Sequence, residues 1–362
     1  MPATSSEGKL HYLTLDAMRG IAALSVVIMH WSNGLGFKGY FDSSILAVDF
    51  FFMLSGFVVA YSYQQRLING FSFSKFLLLR IIRLQPLILF GAFLGMFKLE
   101  VKSLLSTGSL DFGYVGKFVF TILLIPENVL HLLFNTELNP LDQFFPLNFA
   151  FWSLFFEFIM YVLYGSLLFR LQKHQLIVLM SLALIGVSYW IKGSFSVSDT
   201  DNTGGPSTTL TLGLCRAVFF YSFGLLIFKS QNLLSPLWGK LPKSILILLP
   251  VLFFLPRSWL PWYLTEILAI SIFTICIFVG ISRKNSNAKL ERFLGDISYP
   301  IYALHIPLIW GITFFIKRGL GLTEPEQIVW LGFLAIPISV LLSYVALKIY
   351  DEPVRNWLKG KI

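Results

Sequence analysis

The stretch SILAVDFFFMLSGFVVAYSY, residues 44–63, contains one charged side chain, Asp49, in twenty positions. About 20 apolar residues in helical geometry cross the ~30 Å hydrocarbon core of a bilayer. Further apolar runs recur near 14–33, 76–98, 116–134, 149–169, 175–191, 209–228, 244–256, 262–282, 296–316 and 327–348. Composition agrees with that reading: of 362 residues, 56% are hydrophobic and 17% aromatic, and 13% are charged, against about 25% charged in a soluble domain. A soluble globular protein is excluded. The sequence predicts an all-α fold, a polytopic membrane helix bundle forming one integral-membrane domain over 1–362, because only helices or closed barrels satisfy their backbone in lipid. The polar first residues lack a signal-peptide pattern, so the first apolar run reads as a retained span. No segment between the runs is long enough for a soluble catalytic domain, so any chemistry belongs to the bundle.

The net charge of +9 acts first as a topology signal in such a chain. With the N-terminus in the cytoplasm and every run but 116–134 crossing, about ten transmembrane helices result and both termini are cytoplasmic. Most of the 28 Lys and Arg residues then fall inside, including the clusters at 66–83, 229–243, 283–292 and 355–361. The run 116–134 is broken by Pro126, Glu127 and Asn128, and reads as an outer-face or re-entrant eleventh segment. A crossing there would turn the clusters at 229–243 and 283–292 outward, against the positive-inside bias. The charge is thereby absorbed as anchoring, and no nucleic-acid partner is expected. Cys215 and Cys276 lie inside apolar runs without metal-ligand or disulfide spacing, so no metal is expected.

Ionisable groups inside a bilayer cost a few kcal/mol each and need a reason. On this topology His30, Asp49 and Glu157 lie at similar depth toward the outer side, in three different spans. Each has a plain structural reading, a buried group bonded to a neighbour, but their shared depth points to a proton-handling site. At the inner ends lie Arg19, Arg80 and Arg83. The last two are an i, i+3 pair on one helix face, able to fork around phosphate; membrane-edge anchoring is the plain alternative. Asp16 precedes Arg19 by three residues and can pair with it. From Arg19 to His30 is eleven residues, about 16 Å and close to three turns, so both point the same way. A ligand with phosphates at one end, a long arm and a reactive group at the other would reach both, and a coenzyme A thioester has that anatomy. For His305 a hydrogen bond inside the bundle near Tyr302 outweighs a part in the chemistry. Arg216 and Glu266 stand at outer span ends, where they would line an acceptor entrance.

These residues fall in motifs that resemble the acyltransferase-3 family of polytopic bacterial O-acyltransferases. The resemblance runs along nearly the whole chain: Leu15-Asp16-Ala17-Met18-Arg19-Gly20 with His30, Asp49 through Phe57, Arg80 with Arg83, Phe151 through Phe158, Ser298 through His305, and Tyr350-Asp351-Glu352-Pro353-Val354-Arg355. It implies transfer of an acyl group, most often acetyl, from cytoplasmic acyl-CoA to a hydroxyl of a carbohydrate or glycolipid acceptor at the bacterial inner membrane. It also implies roles. His30 acts as general base, or as a covalent acyl carrier, with Asp49 or Glu157 orienting it. Arg19, Arg80 and Arg83 hold the CoA phosphates. Trp152 stacks on a sugar face or belongs to the aromatic interface belt. The chain ends shortly after its last motif and resembles members without a fused SGNH-type domain. Its Lys348-Ile349-Tyr350 departs from relatives, and the closing motif is expected to stabilise the bundle. A transporter or flippase-like permease for a lipid-linked sugar suits the same topology, with Asp49 and Glu157 as a proton path; the lack of paired interrupted helices and the ordered motifs count against it. A third reading is a membrane partner in polysaccharide assembly without chemistry of its own, which a dispensable His30 would favour.

The topology predicts a labelling pattern. In a Cys215→Ser, Cys276→Ser background, a cysteine replacing Lys102 reacts with a membrane-impermeant maleimide on intact spheroplasts, and one replacing Lys240 reacts only after the membrane is opened. The reverse pattern overturns the ten-crossing arrangement.

Overall fold

The computed structural model describes residues 12–34, 41–127, 144–193, 210–238, 240–282, 288–321 and 325–362. His11, Lys38, His131, the acids Glu137 and Asp142, and the polar loop 194–209 lie outside them. Twelve α-helices are described: α1 (Leu13–Gly34), α2 (Leu46–Ile68), α3 (Phe73–Thr107), α4 (Gly113–Ile122), α5 (Phe151–Ser166), α6 (Lys173–Gly193), α7 (Leu210–Trp238), α8 (Leu248–Phe254), α9 (Trp262–Ser282), α10 (Ala288–Phe314), α11 (Pro325–Ala346) and α12 (Glu352–Lys359). Single π-helical turns extend α10 over Phe315–Gly319 and join α11 to α12 over Leu347–Asp351.

Seven helical stretches are long and apolar enough to cross a membrane, and three shorter apolar helices accompany them: Phe151–Ser166, Lys173–Val187 and Lys243–Phe254. Together they coincide in sequence with the ten runs expected to cross. The run 116–134 contains the end of α4, a helix of 10 residues and so about 15 Å long. The chain then turns through Leu124 at a φ of 53°. Lys117 pairs with Glu127 at 2.9 Å, and the Glu127 amide donates to the Phe144 carbonyl at 2.9 Å. Residues 128–143 of this segment lie outside the described part.

Lipid tails are as apolar as leucine, so membrane helices associate through close packing of small residues rather than hydrophobic burial alone. Glycines make the two closest helix pairs here. On α1, Gly20 faces the Leu294 carbonyl, and on α10, Gly295 faces the Asp16 side chain. On α2, Gly56 faces the Tyr221 carbonyl, and on α7, Gly224 faces the Met53 carbonyl. A methyl group at any of these would collide with its neighbour. Between the pairs lies an aromatic core that includes Phe50, Phe57, Phe151, Phe156, Tyr161 and Tyr221. The outer faces carry exposed apolar side chains, such as Val178, Leu182 and Ile185 on α6, as a lipid-facing surface requires.

Gly224→Leu is expected to cost about 1–3 kcal/mol through overpacking, seen as a lowered melting temperature in detergent. Gly116→Ala, with open space around it, is the matched control and leaves the transition unmoved. An unshifted melt for Gly224→Leu contradicts the close α2–α7 packing.

Candidate active site

At one end of the bundle three arginines meet. Arg19 Nε donates to Ser298 Oγ at 2.8 Å and Nη2 donates to the Gly295 carbonyl at 3.0 Å. Its other partner is Asp16, at 3.4 Å, the pairing that their spacing allows. Arg80 is 8% exposed and has a different setting: Nη2 donates to the Tyr63 hydroxyl at 2.7 Å. Its guanidinium lies 4.6 Å from the Tyr63 ring centroid and 5.7 Å from that of Tyr161. These are cation–π contacts, and among the described residues no carboxylate pairs with it; Nε is buried with no acceptor. Arg83 makes no hydrogen bond or ion pair among the described residues, though Asp351 lies within its electrostatic reach. A buried cation without a paired carboxylate is costly, and a bound anion would lower that cost at Arg80. All three arginines line one open cavity, together with Tyr63, Asp296, Tyr299, Asp351 and Arg355.

A second, narrower cavity shares Arg19, Arg83 and Tyr299 with the first. Its walls are largely apolar, with Phe51, Phe52, Leu54, Val58 and Leu154, and carry the polar groups of Ser55, Ser153, Glu157, Tyr161 and Tyr302. Glu157 accepts hydrogen bonds from Ser55 Oγ at 3.1 Å and from the Tyr161 hydroxyl, one helical turn along. Tyr299 is fixed by donating to the Leu84 carbonyl at 2.6 Å. At the other end of the set Ser153 Oγ and the Tyr302 hydroxyl share a hydrogen bond of 2.6 Å.

Beyond Tyr302 stands a pair of histidines. His305 Nδ1 lies 2.6 Å from the Tyr302 carbonyl. A carbonyl only accepts, so that bond places the proton on Nδ1 and leaves a lone pair on Nε2. Nε2 is buried with no partner, and His305 as a whole is 0% exposed. Its ring stacks on that of His30 with centroids 5.2 Å apart and planes at 27°. Phe149 meets the His30 ring edge-on at 5.0 Å. His30 remains partly exposed where His305 does not.

The sequence-selected residues therefore separate into groups. Arg19, Arg80 and Arg83 share one cavity, and Glu157 joins Arg19 and Arg83 in the other. Asp49 lies elsewhere: it is 0% exposed and takes a two-pronged ion pair from Arg216, Nε to Oδ1 at 3.2 Å and Nη2 to Oδ2 at 2.5 Å. Arg216 is thus buried against Asp49, and Glu266 and Arg257 lie within electrostatic reach of both. Neither Asp49 nor Glu157 is hydrogen-bonded to His30; the ionisable ring against His30 belongs to His305. Trp152 is buried, edge-on to Phe156 at 6.1 Å, and lines neither cavity. Ser153, Tyr161 and Tyr302 are the wall residues that sequence reasoning passed over. Their signal was local: Tyr161 follows Glu157 by four residues, and Tyr302 precedes His305 by three.

A family model for an acyltransferase domain matches residues 12–347. The chain belongs to the acyltransferase-3 family. It is similar to Protein 2 in picA locus of Rhizobium radiobacter, with 30% identity over 188 residues that make up 48% of this chain and 91% of that protein. No solved structure matches. This acyltransferase is a multi-pass membrane protein, and the bilayer is its solvent.

The Asp49–Arg216 pair gives the acyltransferase a stability test. Asp49→Ala removes the bidentate counter-charge of a buried guanidinium and should cost about 3–5 kcal/mol, whereas Asp49→Leu combined with Arg216→Met restores most of it. Thermal unfolding in lipid nanodiscs reads both. A single variant as stable as the parent contradicts the buried pair.

Proposed function

We propose that this acyltransferase moves an acyl group, acetyl in the first instance, from a cytoplasmic acyl-CoA to a hydroxyl of a carbohydrate acceptor. The acceptor is a cell-surface polysaccharide or a lipid-linked glycan, and the enzyme sits in the bacterial inner membrane with both termini in the cytoplasm. One observation carries the reading: two cavities share Arg19, Arg83 and Tyr299, one lined by five cations against three carboxylates and the other walled by Tyr302, whose carbonyl holds His305 against His30, although neither histidine lines either cavity itself. The orphaned Arg80 Nε and the unpartnered Arg83 fit a polyanion such as the phosphates of CoA. The narrower, mostly apolar second cavity fits the arm that joins those phosphates to the thioester. When bound, acyl-CoA supplies an activated acyl carbon.

The residues then divide the work. Arg19, Arg80 and Arg83 bind and orient the donor's phosphates. His30, the partly exposed ring of the pair, takes the proton of the acceptor hydroxyl as the new ester bond forms. The thioester C–S bond breaks in the same transfer, and His30 returns the proton to the departing thiolate, so it ends the cycle neutral. Glu157, held by Ser55 and Tyr161, fixes a polar group on the wall of the donor's path. Asp49 keeps Arg216 in place and supports the site through α2.

Purified protein in nanodiscs, given labelled acetyl-CoA and a panel of glycans, tests the proposal through CoA release and acceptor labelling. His30→Ala is expected to lower transfer by about 10²–10⁴-fold with insertion and melting unchanged. Full transfer by His30→Ala removes the base assignment. Sugar movement across the bilayer without CoA release would favour the permease.

A further inference from the structure

We propose that the C-terminal helix α12 forms a separate phosphate subsite, in which Arg355 and Lys359 read the 3′-phosphate on the ribose of the donor. This rests on the acyl-CoA reading above and assigns a recognition role to the closing motif, which the sequence alone presents as a bundle stabiliser.

The subsite is one wall of the first cavity. The π-helical turn Leu347–Asp351 breaks the regular helix, and α12 then follows with Pro353 in its first turn. π-turns of this kind concentrate at functional sites. Asp351, Arg355 and Lys359 from this unit line the cavity with Arg80 and Arg83 of α3 and Arg19 of α1. The C-terminus is tied down as well: Lys75 Nζ donates to the Ile362 carbonyl at 3.3 Å. The wall is therefore positioned against the start of α3 rather than hanging free.

Charge and satisfaction point to an anion at this wall. Five cations line the cavity against the carboxylates of Asp296, Asp351 and Glu352. Lys348 holds Glu352 at 2.5 Å, so that carboxylate is already compensated from outside the lining. Asp351 is 1% exposed and lies 2.8 Å from Arg355 Nη2; neither of its carboxylate oxygens accepts a hydrogen bond among the described residues, so the ion pair alone compensates it. Arg355 Nε, like Arg80 Nε, is nevertheless buried with no acceptor. Buried donors are rarely left unpaired, and a phosphate oxygen would satisfy both.

The order of groups along the donor separates the two sets of cations. Its arm joins the diphosphate, and the 3′-phosphate lies beyond, on the ribose. Arg19 and Arg83 belong to both cavities and so meet the phosphates nearest the arm. Arg355 and Lys359 line only the first cavity and are left for the phosphate farthest from it. That group carries a charge of about −1.5 to −2 at neutral pH, which suits two cations.

The test is equilibrium binding of CoA and 3′-dephospho-CoA to the full-length protein in nanodiscs, with no turnover required. The parent protein is expected to bind CoA at least tenfold more tightly than 3′-dephospho-CoA. Lys359→Gln, a change at an exposed position, should reduce that ratio severalfold. Arg355→Gln with Lys359→Gln should bring it close to one by weakening CoA alone. Melting temperature and unchanged affinity for 3′-dephospho-CoA confirm that the variants are folded. A parent that binds both ligands equally, or a Lys359→Gln protein that keeps the full preference, overturns the subsite while leaving the acyl-CoA reading in place. A parent that binds neither ligand overturns both.

Discussion

The bond between Arg19 and α10 is the constraint on which the rest depends. Two of its nitrogens are held by Ser298 and Gly295, at a crossing where Gly20 and Gly295 allow the helices to touch. That contact fixes the one guanidinium fastened to two helices that belongs to both cavities. It also sets the register of α1 against α10. On α10, Ser298, Tyr299, Tyr302 and His305 follow one another at intervals of one, three and three residues along one face. On α1, His30 comes three turns after Arg19. One helix crossing therefore places the cations at one end and the imidazoles at the other.

The buried charges differ in how they are compensated, and the difference separates support from function. Arg216 has Asp49 as a full counter-charge and closes a structural pair between α2 and α7. Arg80 has aromatic faces and one hydroxyl, and Arg83 has neither. Membrane proteins retain uncompensated cations where a ligand or a water-filled space receives them. On the function proposed above, the arginines of α3 receive an occupant, whereas Arg216 pairs within the bundle.

Much of this was legible in the sequence because it is local. The ten runs expected to cross coincide in sequence with the seven long and three shorter apolar helices described. The i, i+3 spacing of Arg80 and Arg83 gave a shared face, and both line the first cavity; Arg19 lines both cavities, whereas His30, expected to point the same way, lines neither. Partners across helices were not legible. Asp49 finds Arg216, 167 residues away, and His30 finds His305; no spacing rule encodes either meeting. Depth alone grouped His30, Asp49 and Glu157, but depth leaves open the rotation about each helix axis, and that rotation sends the three to different neighbours. The π-turn before α12 escaped for a related reason: one extra residue per turn leaves hydropathy unchanged yet swings Asp351 and Arg355 toward the cavity.

The central claim is that one donor occupies both cavities, nucleotide beside the cations and arm pointing to the histidines. Cryo-electron microscopy of the protein in nanodiscs with bound CoA tests it most directly. The account predicts phosphate density against Arg19, Arg80 and Arg83, and the sulfur end between Ser55 and Tyr302. Nucleotide density elsewhere on the bundle, or an arm that leaves the second cavity empty, would contradict it.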